Sequence, residues 1–345
     1  MDSYFFLFAG ISIVLITAYD LIYTTFSPRG AGFISDFVTS VIWNTLRLFY
    51  KITGNHKIMR GAGIIIVCAT LLSWLLLLWG GHFMIVLADQ DAVLDSTTNL
   101  PATSMQRLYY SGYILSTMGN GDYKGGSDGW RVYSAVISFA GLTLITIAIS
   151  YMVPVISAVT ERRALSIRIR SIGETSQRVI LDNWNGNDCK RLEDQFNGLA
   201  ESVALQAQMH LSYPVLQYFH HGQKATALLP SLAMLDEALT IMLLYLPENT
   251  RPDPQHLIPL RKAVTNFLQT LDIVSNRAAE TEVPSLDVDL LLARGLPLKQ
   301  LDPSLLSNLD YRRKMLRSMV EHDGWKWNEE ADSPFDSKMD LPSVS

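Results

Sequence analysis

Residues 116–122 read Ser-Thr-Met-Gly-Asn-Gly-Asp, and their types and spacing suit the binding of a cation. Gly119 and Gly121 alternate with larger residues, and glycine adopts left-handed backbone angles at little cost. When alternate residues take such angles, consecutive backbone carbonyls point the same way. A row of carbonyls can replace the hydration shell of a dehydrated cation. The Thr117 hydroxyl can add a further oxygen at one end of the row.

The elements around this loop must position it, and three of them are long apolar runs. Each run has at least about 20 residues, enough to cross the roughly 30 Å hydrocarbon core of a membrane; they cover residues 4–26, 61–88 and 132–159. The loop lies between the second and third runs, and residues 105–116 before it can form one short helix, for which Thr103 and Ser104 are good N-caps. Alone, Gly-Asn-Gly-Asp would suggest a surface turn. This setting favours a pore loop instead.

The order of long helix, short helix, glycine-alternating loop and long helix is similar to the pore domain of potassium channels. Residues 117–122 resemble the Thr-X-Gly-Tyr-Gly-Asp signature of that family, with Asn120 where tyrosine is usual. The resemblance covers about residues 61–160. It implies a homotetramer, potassium as the permeant ion, and a selectivity filter whose ion-binding residues are Thr117, Met118, Gly119, Asn120 and Gly121.

The resemblance also implies supporting residues around the filter. In family members the filter tyrosine packs into aromatic residues of the pore helix, which correspond here to Tyr109 and Tyr110. We expect Tyr113 directly behind the filter and Asp122 directly after it. Because Asn120 is small and polar, it either bonds a tyrosine hydroxyl or leaves a looser filter that passes sodium as well.

The third apolar run is expected to line the inner pore. Gly141 lies where many potassium channels have a hinge glycine, although a glycine here can equally permit close helix packing. Pro154 would remove a helix hydrogen bond and kink the cytoplasmic end of the run. We expect these two residues to form the gating hinge or kink.

Charge distribution predicts the orientation of the chain. The linker 27–60 holds five basic residues and one acid, and four arginines lie within residues 162–170. The segment between the second and third runs is acidic. The positive-inside rule therefore places the linker and the C-terminal part in the cytoplasm, with the N-terminus and the loop outside. We expect a multi-pass protein of a bacterial plasma (inner) membrane.

These observations predict an all-α membrane protein with three transmembrane helices, a re-entrant pore loop and an all-α cytoplasmic domain. The apolar stripe of residues 34–50 predicts a helix along the inner membrane surface, or a short re-entrant or fourth membrane segment. Later stripes over 190–211, 225–245, 255–276 and 301–319 predict the cytoplasmic helices. The predicted domains are 1–60 (first span and linker helix), 61–160 (pore), 161–322 (helical cytoplasmic domain for assembly or gating) and 323–345 (disordered acidic tail).

Single polar residues point to no second chemistry. Asp20 is the only charge in the apolar runs and is expected to anchor the structure or to pair with a linker arginine. His210, His220 and His221 match no strong metal-ligand motif. Cys68 and Cys189 are isolated, so no disulfide framework is predicted.

Three functions fit the sequence. The first is a potassium-type channel, the second a non-selective cation channel on the same scaffold, and the third a non-conducting membrane receptor or scaffold. No nucleophile, metal or phosphate motif suggests an enzyme or a cofactor beyond the permeant ion. The net charge of −5, with bases at the membrane borders, argues against nucleic acid. The expected partners are membrane lipid, other copies of this chain, and a cytoplasmic ligand or protein.

Overall fold

A computed structural model describes residues 2–27, 30–53, 61–219, 224–275, 282–300 and 309–327. Nearly all regular structure in these ranges is helical, as predicted, and the described helices are α1 Asp2–Phe26, α2 Phe33–Thr53, α3 Ala62–Leu87, α4 Ser104–Leu115, α5 Asp128–Arg170, α6 Ser176–Leu181, α7 Glu193–Ser212, α8 Leu228–Leu244, α9 Pro254–Ser275, α10 Asp289–Ala293 and α11 Asp310–His322. Short 3-10 turns cover Lys190–Leu192, Pro214–Tyr218 and Lys224–Thr226, and strands β1 Val93–Asp95 and β2 Tyr123–Gly125 complete the structure.

Three of the described helices are long and apolar enough to cross a membrane, which confirms the three predicted spans. They are Ser3–Phe26 of α1, the whole of α3 and the whole of α5. At 1.5 Å per residue, the 43 residues of α5 extend for about 64 Å, roughly twice the thickness of the hydrocarbon core. The arginine-containing end of α5 therefore continues beyond its apolar part. The described chain divides into one compact unit up to Ile156 and a second from Ser157.

In the first unit, α1 packs closely on α3 because both helices present glycine at the contact. A Cβ atom on Gly10 would lie 2.7 Å from the Gly81 carbonyl oxygen, so no larger residue fits there. A buried cluster then joins these two helices to α4 and α5: Leu21, Trp74, Leu78, Leu115, Ile137 and Leu144.

Asp20 ties α1 to α2 and α3 through hydrogen bonds. Its buried carboxylate accepts from the Ile34 backbone N–H (2.7 Å), the Ser35 hydroxyl (2.6 Å) and the Trp74 indole N–H (2.8 Å). A carboxylate at the first turn of α2 satisfies backbone donors that the helix itself leaves unpaired. The anchoring role expected for Asp20 is thus carried by backbone and side-chain donors, and among the described residues no arginine pairs with it.

The residues 34–50 predicted as one helix form α2, which extends slightly further at both ends. The two short strands were not predicted. β1 pairs antiparallel with β2, with Val93 opposite Gly125 and Asp95 opposite Tyr123, so they bracket α4 and the loop that follows it.

In the second unit, α8 lies at the centre of a helical core. Its residues are almost all buried, and Asp236 on it forms ion pairs with Arg261 (2.7 Å) and Arg312 (2.5 Å). Helices α7, α8 and α9 match the predicted stripes, and α11 matches the described part of the fourth, since residues 301–308 lie outside the described ranges.

Residues 323–327 pack on this core. The sequence predicted that they belong to a disordered tail, so this part of the prediction is wrong. Trp325 and Trp327 contact the buried cluster, and the Asp323 carboxylate lies 4.0 Å from the buried Arg162 guanidinium. The composition of this segment is polar and acidic, and it did not indicate that the two tryptophans would pack on the helical core. The rest of that tail lies outside the described residues.

Candidate functional site

The short helix before the loop begins and ends with well-formed caps. α4 covers Ser104–Leu115, one residue earlier than predicted, and Thr103 is its N-cap. The Thr103 side chain accepts from the Gln106 backbone, and the Gln106 side-chain oxygen accepts from the Thr103 backbone (2.8 Å), which together form a capping box. The start of α4 is therefore fixed locally by its own sequence.

Arg107 fixes the same end of α4 to the end of α3. This buried side chain donates to the carbonyls of Val86 (3.0 Å), Asp89 (2.7 Å), Gln90 (2.6 Å) and Ala102 (2.9 Å). The last carbonyls of a helix lack partners within it, and a guanidinium can satisfy several of them at once. This contact of Arg107 with the end of α3 could not be predicted, because nothing in a sequence reveals which carbonyls an arginine side chain reaches.

The backbone after α4 alternates in handedness. The φ angles are +59° at Thr117, +62° at Gly119 and +79° at Gly121, so every second residue is left-handed. The two glycines are in the conformation that the spacing indicates. Thr117 has it as well, although the side chain makes that conformation cost about 1–2 kcal/mol.

Thr117 is left-handed because it also closes α4. Its N–H donates to the Ile114 carbonyl (3.0 Å), and the Met118 N–H donates to the Tyr113 carbonyl (2.9 Å). This pair of bonds around one left-handed residue is the Schellman motif that ends many helices. Glycine is the residue usually found at the left-handed position of this motif. Because threonine occupies it here, the sequence did not indicate where α4 ends.

The loop is exposed in the single chain. All residues from Ser116 to Asp122 are accessible to solvent, and the Met118 side chain is 59% exposed. A Cβ atom on Gly119 or Gly121 would meet nothing within 4 Å. Among the residues that the structure describes, one face of the loop therefore has no packing partner.

Asn120 forms a hydrogen bond to the aromatic residues of α4. Its side-chain amide donates to the Tyr109 hydroxyl, which is one of the two alternatives that the sequence left open for this residue. The Tyr109 ring lies 5.2 Å from that of Tyr113 and 6.1 Å from that of Tyr123, edge to face in both cases. A polar contact thus holds Asn120 to an aromatic group.

The other predicted supporting residues lie at different distances from the loop. The Tyr113 hydroxyl donates to the carbonyl of Tyr123, just after the loop, while the Tyr110 hydroxyl bonds Ser134 on α5. The Asp122 carbonyl accepts from the Ser96 N–H (2.9 Å), and the Asp122 residue is exposed. Among the hydroxyls of these three tyrosines, that of Tyr109 is the one that bonds a residue within 117–121 in the described structure. Tyr123, which receives the Tyr113 bond, was not anticipated.

Gly141 lies against the end of α4. A Cβ atom there would be 1.8 Å from the Leu115 carbonyl oxygen, so α5 crosses α4 with no room for a side chain. These contacts agree with the interpretation that Gly141 permits two helices to pack closely. Pro154 lies further along α5, which is a continuous helix through both residues.

Two of the described histidines are buried, one in each unit. His82 is buried and its Nδ1 bonds the Tyr133 hydroxyl (3.0 Å). His210 is buried in the second unit, where burial and the Arg162 charge lower its pKa to about 3. His220 and His221 lie outside the described residues. Over the ranges that are described, no three His, Cys, Asp or Glu side chains form a metal-binding group.

Comparison with known proteins agrees with this geometry. The chain is 28% identical over 326 residues to the uncharacterized membrane protein YdjJ of Bacillus subtilis (strain 168), an alignment that covers 93% of this chain and 95% of that protein. No solved structure matches. Residues 69–158, which contain α4, the loop and most of α3 and α5, match the profile of a family described as "Ion channel". The resemblance of the pore region to ion channels, predicted from the sequence, is therefore confirmed.

Proposed function

We propose that four copies of this chain form a cation channel that conducts potassium through residues 117–121. The alternating left-handed backbone at Thr117, Gly119 and Gly121 carries this proposal. Such alternation allows consecutive carbonyls to point to one side, as a dehydrated cation requires. One chain supplies only one wall of such a path, so the loop needs further copies to surround an ion.

The exposed face of the loop supports this assembly. Residues 116–122 are solvent-accessible in the single chain, although the helix before them is buried on several sides. In a tetramer this face would border the central axis. The carboxyl end of α4, which carries a partial negative charge, lies at the inner end of the loop and favours a cation there.

The bond between Asn120 and Tyr109 supports selective rather than loose conduction. A filter discriminates between ions when its carbonyls are held in number and position. The side-chain amide of Asn120 replaces the aromatic packing that a tyrosine would make, and the Tyr109 hydroxyl restrains it. The non-selective channel is the second candidate, because a single hydrogen bond restrains less than a packed ring.

The predicted topology completes the proposal. The acidic segment between α3 and α5 lies outside, where carboxylates raise the local cation concentration. The second unit lies in the cytoplasm of a bacterial cell and serves assembly or gating. Gly141 and Pro154 provide the positions at which α5 can bend between closed and open states.

A flux assay with purified full-length protein in liposomes tests the proposal. We expect potassium efflux from wild-type vesicles and none from Gly121→Ala, since alanine at φ +79° is strained and would change the carbonyl direction. Gly80→Ala is the matched control, because a Cβ atom there meets nothing within 4 Å. Cross-linking must show tetramers for all three. Equal sodium flux would favour the non-selective channel, and protein that is neither tetrameric nor conducting would contradict both.

A further inference from the structure

A cavity of ≈ 680 Å³ lies within the second unit. Its volume falls in the range of about 300–1,000 Å³ that is typical of small-molecule sites. Side chains from the end of α5, from α8 and from the segments around α10 and α11 line it. Those that matter here are Arg170, Lys224, Pro230, Met234, Glu237 and Trp327.

One face of α8 forms an apolar floor. Pro230, Ala233 and Met234 are three and four residues apart, so they share one side of the helix. Trp327 adds an aromatic ring to the same lining. Glu237 lies on this side too, about 10 Å along the helix from Pro230. The α8 side of the cavity is thus an apolar floor that ends at the Glu237 carboxylate, and polar side chains make up much of the remaining lining.

The other end of the cavity is cationic. The Arg170 side chain is only 5% exposed, and it donates to the Ser231 hydroxyl (3.3 Å) and the Glu174 carbonyl (2.9 Å). Both partners are neutral groups, and the negative charge of the exposed Glu174 side chain also acts on the guanidinium. Lys224, 9% exposed, lies on the same lining. A buried guanidinium favours an anion that accepts two hydrogen bonds.

Carboxylates around the cavity limit how much negative charge a ligand can carry. Glu174, Glu237 and Asp287 all line it; Glu237 bonds Arg313 (2.8 Å), and the charge of Glu174 acts on Arg170. Burial raises the pKa of Glu237, and the Arg313 contact opposes this shift. The repulsion from these carboxylates increases with the negative charge of a ligand. A ligand with one negative charge next to Arg170 therefore meets less repulsion than a ligand with several.

We propose that this cavity binds a small organic monoanion. Its carboxylate pairs with Arg170, and its apolar or aromatic body lies on Pro230, Met234 and Trp327. Arg170 is the last residue of α5, the helix that also carries Gly141. On the proposed channel function, ligand binding at this helix end alters the open probability.

Binding to full-length protein in detergent tests the site without any need for conduction. The probes are indole-3-acetate, its neutral isostere indole-3-acetamide, and ATP as a polyanion, each measured by titration calorimetry. We expect indole-3-acetate to bind at least about tenfold more tightly than either of the others, because only it can place one charge on the guanidinium.

Three variants locate the binding. Arg170→Gln should weaken indole-3-acetate binding by about tenfold or more, and Ala233→Phe should abolish it by filling the cavity. Arg178→Gln is the matched control, since this exposed arginine lies on α6 beside the cavity and pairs with Asp182 instead. If Arg170→Gln unfolds, Ala233→Phe with an unchanged thermal midpoint decides the location.

Several results would overturn the proposal: no binding of any probe, equal affinity for the acid and its amide, tighter binding of ATP, or full binding by Ala233→Phe. Single-channel recordings with and without indole-3-acetate test the regulatory part. Binding with an unchanged open probability overturns only that part. Binding without any current would contradict the proposed channel function and leave the site intact.

Discussion

Thr117 connects the loop 117–121 to α4. The same left-handed residue closes α4 through the Schellman bonds and begins the alternation that continues at Gly119 and Gly121. The glycines could be predicted because glycine is the usual residue at such angles. Thr117 could not, since nothing in its type signals a left-handed backbone. The position of the loop relative to the helix therefore emerges only in the structure.

Tyr109→Phe is predicted to lower the selectivity for potassium over sodium. The change removes the hydroxyl that accepts from the Asn120 amide and leaves the aromatic ring in place. Without this bond the Asn120 side chain is less restrained. The carbonyls of the proposed filter are then held less firmly, and sodium permeates more readily. The readout is the ratio of potassium to sodium flux in liposomes.

Tyr110→Phe is the control for this change. It removes a hydroxyl from the neighbouring residue of α4, but that hydroxyl bonds Ser134. Its flux ratio should equal that of the wild type. Equal ratios for both variants, with both proteins folded, would show that Asn120 needs no restraint from Tyr109.

His210 is predicted to make the second unit sensitive to acid. Its pKa is about 3 in the folded protein, against an ordinary 6.5. The unfolded chain therefore binds more protons between these values, and stability falls as the pH drops below 6.5. The loss is about 1.4 kcal/mol of unfolding free energy per pH unit.

The measurement is the thermal midpoint of unfolding at pH 7.5 and pH 5.5. His210→Gln should reduce the drop between these two values, because glutamine does not titrate. An identical drop in both proteins would mean that His210 does not stay neutral when folded.

At the scale of elements, close helix contacts at glycines hold the pore region together. Gly141→Ala is predicted to destabilise it by at least about 2 kcal/mol, since the new Cβ would lie 1.8 Å from the Leu115 carbonyl oxygen. Gly80→Ala, in α3, should instead stabilise by about 1 kcal/mol, because alanine favours a helix interior more than glycine does.

Thermal unfolding of the two variants in one detergent compares them directly. A Gly141→Ala protein as stable as wild type would show that α5 and α4 have room to separate. Such a result would also favour the hinge interpretation of Gly141 over the packing one.

Asp20→Asn is predicted to loosen α2 from α1 and α3. The amide keeps one acceptor oxygen but presents an N–H₂ group to the donors of Ser35 and Trp74. The expected loss of stability is about 2–3 kcal/mol. Asp36→Asn, an exposed acid in the first turn of α2, is the control and should change little. Similar midpoints for both variants would contradict the capping role of Asp20.

The helices and strands differ in how well they could be predicted from the sequence. Long apolar runs predicted α1, α3 and α5, and apolar stripes predicted α2, α7, α8, α9 and α11, whereas the short helices α6 and α10 were not predicted. The strands β1 and β2 have three residues each, too few for any periodicity to show. Their pairing depends on contacts between residues about 30 apart in the chain, which no local pattern contains.

At the scale of the whole molecule, the sequence predicted three spans and a large helical unit after them. The membrane assignment follows from hydropathy, because a run of about 20 apolar residues has few alternative placements. The cavity at Arg170 could not be predicted, since residues from four separate stretches of the chain form its lining.

The central claim is that the loop 117–121 is a potassium-selective filter in a tetramer. Its most direct test is the reversal potential of purified protein in a planar bilayer, with potassium on one side and sodium on the other. We predict a reversal near the potassium equilibrium potential. A reversal near zero would contradict selectivity and identify a non-selective cation channel on the same scaffold.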